Sequence, residues 1–167
     1  MLAVTEQETT QPTRKPQVPT GVLPMVMYDS VNSVITAEVV VAQSAKDNAI
    51  TISAPPVTIS SGTWEVRWEL MVSPAGLEAG FAKPGIRLGS LPRGVTLTAG
   101  LSGSELLWTA RFKNDVETVD SLNYEIDIDS TSGVGPHKAT LRVTRRNTTI
   151  VVVKDPVNPA PPPTAAT

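Results

Sequence analysis

The sequence predicts an all-β protein, an antiparallel sandwich with extended arms at both ends, and three observations lead there. The stretch SSGTWEVRWELMV (60–72) alternates strictly, with Trp64, Val66, Trp68 and Leu70 on one parity and Glu65, Arg67 and Glu69 on the other. A period of two belongs to a strand with one buried face, because successive side chains point to opposite sides. The same period recurs across residues 22–155, broken at short intervals by Gly, Pro, Asn and Asp. Helical spacing is nearly missing: SPAGLEAGFA could form one turn, and its glycines count against even that. Many short strands joined by turn residues specify a sandwich of Ig-like or jelly-roll connectivity, two arrangements that share this alternation.

Residues 1–21 are rich in Thr, Gln and Pro, and residues 156–167 carry a triple proline that favours extended polyproline II. Both are expected to be arms outside the core, either frayed or ordered against a neighbouring subunit. The domain between them runs from 22 to 155. VLPMVMY (22–28) reads as an edge strand, since Pro24 has no N–H for a central ladder, and Met25 and Met27 are expected to fill gaps. VITAEVVVA (34–42), NAITIS (48–53) and PVTIS (56–60) lead into the opening stretch. SPAGLEAGFAKPG is expected to be loop, and residues 73–94 a candidate contact surface. IRLG, GVTLTAG, ELLWTARFK (105–113), LNYEIDID (122–129), HKATLRVTR (137–145) and TTIVVVKD (148–155) complete the strands.

Composition narrows the class. At 167 residues the chain fits one domain, with 40% hydrophobic and 18% charged residues. A net charge of −2 argues against a nucleic-acid binder, which would show a basic excess. With no cysteine, disulfides, thiolate metal sites and cysteine nucleophiles are excluded. No stretch approaches the roughly 20 apolar residues that span a bilayer. The first residues lack the basic start and apolar run of a secretory signal, so the chain reads as soluble and made in the cytosol.

The tryptophans raise the question of a binding platform. Trp64, Val66, Trp68 and Leu70 must point together, and Leu106, Trp108, Ala110 and Phe112 offer a matching face. We expect these to be facing layers of one core, because an indole buries on the order of 200 Å² and dominates any core it enters.

The densest charge lies in DVETVDSLNYEIDID (115–129), where Glu125, Asp127 and Asp129 share one strand face and Tyr124, Ile126 and Ile128 the other. Alternate carboxylates form a row rather than the cage calcium needs. A hairpin centred between Gly133 and Val134 would set Asp129 against Lys138 and Glu125 against Arg142, with Ala139, Leu141 and Val143 inward. His137, the one histidine, reads as a solvent-facing turn residue. Neither a GxSxG elbow nor a phosphate loop is present, and Asn147 in NTT matches a glycosylation acceptor in form alone. No catalytic, metal or cofactor residue is assigned, and the chain is expected not to be an enzyme.

The body from TWEVRWEL through LPRGVTLTAG, ELLWTARFK and NYEIDID to TIVVVKDP resembles small β-sandwich structural proteins of tailed bacteriophage particles. These include capsid decoration (cement) proteins and Ig-like accessory modules. The resemblance implies residence in the virion and attachment to a major capsid protein or other virion subunits. It also implies a homo-oligomer, with a trimer at a local three-fold axis one arrangement. It carries over no site residue. The competing expectation is a glycan- or host-surface-binding module, which needs exposed aromatics that this parity turns inward.

Overall fold

The computed structural model describes residues 24–74, 76–132 and 135–154; the expected arms, 1–21 and 156–167, lie outside the described residues. Ten strands run in chain order: β1 (Val26–Asp29), β2 (Val34–Gln43), β3 (Ile50–Ser53), β4 (Val57–Ile59) and β5 (Gly62–Ser73), then β6 (Glu78–Leu88), β7 (Val95–Gly103), β8 (Leu107–Asn114), β9 (Asp120–Ser132) and β10 (Ala139–Val152). They form two sheets. The first has the order β1-β2-β5-β8-β7, with β3 also on β2, and the second has the order β4-β10-β9-β6.

Both sheets are mixed, which corrects the expectation of antiparallel pairing throughout. β2 runs parallel to β5, and β4 runs parallel to β10. The reason is local. Ala54-Pro55-Pro56 breaks one extended segment in two, leaving β3 in the first sheet and β4 in the second. Proline cannot donate to either ladder, so the chain crosses between sheets there. Alternation along a strand reports its two faces and is silent about its neighbours' direction.

The inward faces of the two sheets meet in one buried cluster. Ile35, Ala37, Val39 and Val41 of β2, Val66 and Trp68 of β5, and Trp108, Ala110 and Phe112 of β8 come from the first sheet. Val57 and Ile59 of β4, Phe81 and Ile86 of β6, Leu122 to Ile128 at alternate positions of β9, and Ile150 and Val152 of β10 come from the second. The two tryptophan strands are therefore neighbours in one sheet rather than opposing layers: Trp68 lies across from Trp108, Val66 from Ala110 and Trp64 from Phe112. What faces Trp68 from the second sheet is Tyr124, with ring centroids 5.5 Å apart and planes tilted by 54°. Leu106 precedes β8 and is 64% exposed, so it does not join this face.

β1 is an edge strand as expected, and Tyr28 closes that side by accepting the Thr58 N–H of β4 at 3.0 Å. Met25 and Met27 do not fill gaps. They take the outward parity beside inward Val26 and Tyr28 and are about half exposed. Half of the expected loop at 73–94 is strand β6, which tolerates Pro84 because it is the outer strand and its register shifts between Phe81 and Ile86. Gly85 sits in that irregularity, where a Cβ would come within 2.9 Å of the Trp108 indole nitrogen. Only glycine lets the strand pass so close.

The two expected strands at 137–145 and 148–155 are one strand, β10, with a bulge between Arg145 and Thr148. Asn147 takes a left-handed φ of 63° there, and the extra residue exchanges the inward parity. Val143 and Arg145 face the core side before the bulge; Thr148, Ile150 and Val152 do so after it. Arg145 remains exposed at this rim, with its Nη1 donating to the Ile52 carbonyl at 3.0 Å.

Candidate functional site

The outward face of the second sheet gathers the carboxylates that the sequence singled out. β9 runs between β6 and β10, and its outward parity carries Glu125, Asp127 and Asp129. The hairpin with β10 exists, but its register is four residues from the expected one: Asp129 lies opposite Arg142, Asp127 opposite Thr144 and Val143 opposite Ile128. The turn includes a single 3-10 turn at Gly135–His137, which lengthens the connection and moves Lys138 off the ladder. A shift of four keeps every side chain on its expected face. Leu141, at inward parity, nevertheless lies past the reach of the core and is 62% exposed.

Each carboxylate faces a guanidinium. Arg142 Nε donates to Asp129 Oδ1 at 2.6 Å. Arg87 of β6 reaches Asp127 with Nε at 2.7 Å and Glu125 with Nη2 at 2.5 Å, and Arg146 of β10 approaches Glu125 from the other side at 3.3 Å. Asp127 is the buried member, 3% exposed, and Thr144 also donates its hydroxyl to it. Lys138 pairs instead with Glu78 at 3.6 Å. Arg87 was not foreseen. Its outward parity between Ile86 and Leu88 was the available signal, hidden because the strand was short in the expected segmentation.

Burial pushes the Asp127 carboxyl up, but hydrogen bonds from Arg87 and Thr144 outweigh it and hold the group below its ordinary value. The Asp129 carboxylate keeps Arg142 more firmly protonated, as Asp127 does for Arg87. A lowered folded pKa means that Asp127 contributes stability above the unfolded carboxylate range and that the contribution is lost as pH falls through the folded value. We therefore expect the urea midpoint to fall on acidification below about pH 4, and Asp127→Asn to flatten part of that acid limb. Glu65, held low by Arg67 and Arg111 on the other sheet, supplies another part. An acid limb unchanged in Asp127→Asn, measured by urea titration from pH 6 to 2, would show that the pair does not couple to folding.

This face is a neutralised charge lattice rather than a convergent site. Among the described residues, no group of three or more His, Cys, Asp or Glu is placed to hold a metal ion. His137 is exposed in its turn, away from any nucleophile in the hydrogen-bond pattern of the described residues. Surface depressions of about 340, 420 and 660 Å³ lie among the described residues. The first borders Arg87, Asn123 and Asn147, the second Glu78, Glu105 and Asp129, and the third Arg93, Asp115 and Asp120. They are polar hollows between loops and strand ends.

One buried side chain deserves equal weight and was missed in the sequence. Asn114, at the end of β8, is fully buried and its Nδ2 lies 2.9 Å from the Ile59 carbonyl, 3.0 Å from that of Ser60 and 2.9 Å from that of Val153. Its Oδ1 accepts the Val116 N–H at 3.1 Å. One amide thus ties the first sheet to the ends of β4 and β10 in the second. The signal was legible: Asn114 continues the inward parity of Trp108, Ala110 and Phe112.

Set beside known proteins, the chain matches no family model and no curated protein.

Proposed function

We propose that the chain is a non-enzymatic structural subunit of a virion, attaching to capsid proteins through its flat sheet faces and terminal arms. We further infer an Ig-like sandwich as its body. In an Ig arrangement the seven strands A to G place B, E and D in one sheet and C, F and G in the other. Here β5, β8 and β7 adjoin in that order in one sheet, and β6, β9 and β10 in the other. Beyond those six strands the sheets extend differently: β2 lies beside β5 and parallel to it, β1 and β3 pair with β2, and β4 lies beside β10 and parallel to it. That pattern favours an Ig-like over a jelly-roll connection.

The observation that carries the functional reading is the disposition of the large side chains. Trp68 and Tyr124 are sealed between the sheets, Trp108 is 7% exposed, and the second sheet's outer face presents paired charges. A body of this kind offers area for contact. A glycan-binding module would instead present aromatic rings to solvent, whereas Trp68, Trp108, Phe81, Phe112 and Tyr124 are buried and Trp64 and Tyr28 are partly buried against the core. The test is co-sedimentation of the purified chain with assembled capsid shells. We expect binding by the full chain, and reduced binding without a change in melting when residues 1–20 or 156–167 are removed. A full chain that fails to sediment with shells overturns the reading; truncated chains that bind as well as the full one overturn the part given to the arms.

A further inference from the structure

The two sheets end in strands of different kinds. β6, the long edge of the second sheet, carries Glu78, Lys83, Pro84 and Arg87, the charged and proline residues that discourage pairing with another chain. β4 has three residues and follows Pro55-Pro56, and β1 and β3 have four each. β7 is different. Its nine residues, VTLTAGLSG, contain neither a charge nor a proline, and in its sheet it pairs with β8 alone. Leu97 and Leu101 lie half-buried along it, so the edge is also incompletely covered. Register shifts at Leu97/Ala99 and Ala99/Ser102 bend this edge. Two copies of a bent edge match over few residues, whereas a segment that folds onto it can follow the bends.

We propose that residues 2–10 of one copy, LAVTEQETT, add as a strand to the β7 edge of a second copy. This segment has no proline and is two-thirds β-branched or apolar, with Leu2 and Val4 at one parity available to cover Leu97 and Leu101. Its charges are Glu6 and Glu8, and Arg93, which has no ion-pair partner among the described residues, stands at the head of β7. Pro12, Pro16 and Pro19 lie between this segment and Pro24, where the chain enters β1 at the opposite edge of the same sheet. The intervening 13 residues span up to about 40 Å when extended, against about 19 Å across the four strand spacings. The linker is therefore long enough to reach a β7 edge, its own or that of a neighbouring copy, and crosslinking separates the two. Passing from the β1 edge of one copy to the β7 edge of the next is a head-to-tail contact, which makes a ring if the rotation between copies closes and an open filament if it does not. The inference concerns self-association and stands apart from the shell reading, which co-sedimentation tests separately.

Light scattering coupled to size exclusion is the test, on the full chain, on the chain lacking residues 1–10, and on Thr98→Lys/Gly100→Lys. Both positions are exposed, and a Cβ at Gly100 meets nothing within 4 Å, so the second variant should fold; its melting profile checks this. We expect a concentration-dependent oligomer whose association weakens at least tenfold in either variant. Because the chain has no cysteine, Thr5→Cys and Thr98→Cys chains can be mixed and oxidised, and a disulfide between the two is expected. A full chain that stays monomeric at the highest concentration overturns the proposal. So does association that survives the truncation, which would indicate contact between bodies, or association that survives the lysines, which would place the segment elsewhere. In a doubly substituted chain, a crosslink that forms only within one molecule also overturns it.

Discussion

Replacing Asn114 with aspartate is expected to destabilise the body by about 3–5 kcal/mol at neutral pH, although the side chain keeps its size. The amide of Asn114 gives its hydrogens toward three carbonyl oxygens, those of Ile59, Ser60 and Val153. A carboxylate there has no hydrogen to give and sets a buried anion against three partial negative charges. For a body of this size the loss corresponds to roughly 10–20 °C in melting temperature. The pH dependence should have the opposite sign to that of Asp127. Burial and the facing carbonyls raise the folded pKa of the new acid above its unfolded value. Its protonated form supplies a donor, so the penalty is smallest at low pH and grows as pH rises through the folded value. Thermal melts of wild type and Asn114→Asp from pH 4 to 8 would measure the widening gap. Parallel curves, or a loss under 1 kcal/mol, would mean that the amide does not bind the sheets together.

Truncating Trp68 to alanine is expected to cost about 3–5 kcal/mol, a large share of the 5–15 kcal/mol that holds a typical domain. Trp68 is fully buried, lies across from Trp108 and touches Tyr124 of the other sheet. Among the described residues, the Trp68–Tyr124 pair is the aromatic ring contact that joins the two sheets. Its indole N–H and the Tyr124 hydroxyl meet no hydrogen-bond partner, although the N–H is near enough to favour the phenolate slightly. Burial dominates and pushes the Tyr124 hydroxyl up to about 12. Packing rather than polar pairing therefore holds the rings, and Trp68→Phe should recover much of the alanine loss. A double-mutant cycle with Tyr124→Ala should give a coupling of about 0.5–1.5 kcal/mol. Urea unfolding that shows Trp68→Ala within 1 kcal/mol of wild type would place the weight of the core elsewhere.

Parity was the readable quantity in this chain, and partnership was not. Trp68, Trp108, Phe112, Tyr124 and Ile128 were each expected on the buried side and lie there. Which strand neighbours which depends on contacts distant in sequence, so the two tryptophan strands, placed in opposite layers by pattern, share a sheet. Irregular backbone hid the rest. The bulge at Arg145–Thr148 exchanges the faces of β10, and β6 is disguised by three glycines or prolines in the segment around its register shift. The charge lattice was half legible. Its carboxylates followed from alternation, whereas Arg87 comes from a strand whose length the glycines and proline concealed, and Arg142 depended on a register that the turn at Gly135–His137 displaced. Asn114 shows a more general lesson: an amide at inward parity is worth singling out when its neighbours are tryptophan and phenylalanine.

The parallel pairing of β4 with β10 bears on how the body would carry mechanical load. Tension applied beyond Lys154 pulls along β10, which β4 and β9 grip on both sides, with Asn114 clamped across the exit at Val153. Rupture there means shearing two ladders at once. Tension applied ahead of Pro24 meets four-residue β1, held in its sheet on one side, and can unzip it while the core stays intact. The molecule is thus built with one yielding end and one stiff end.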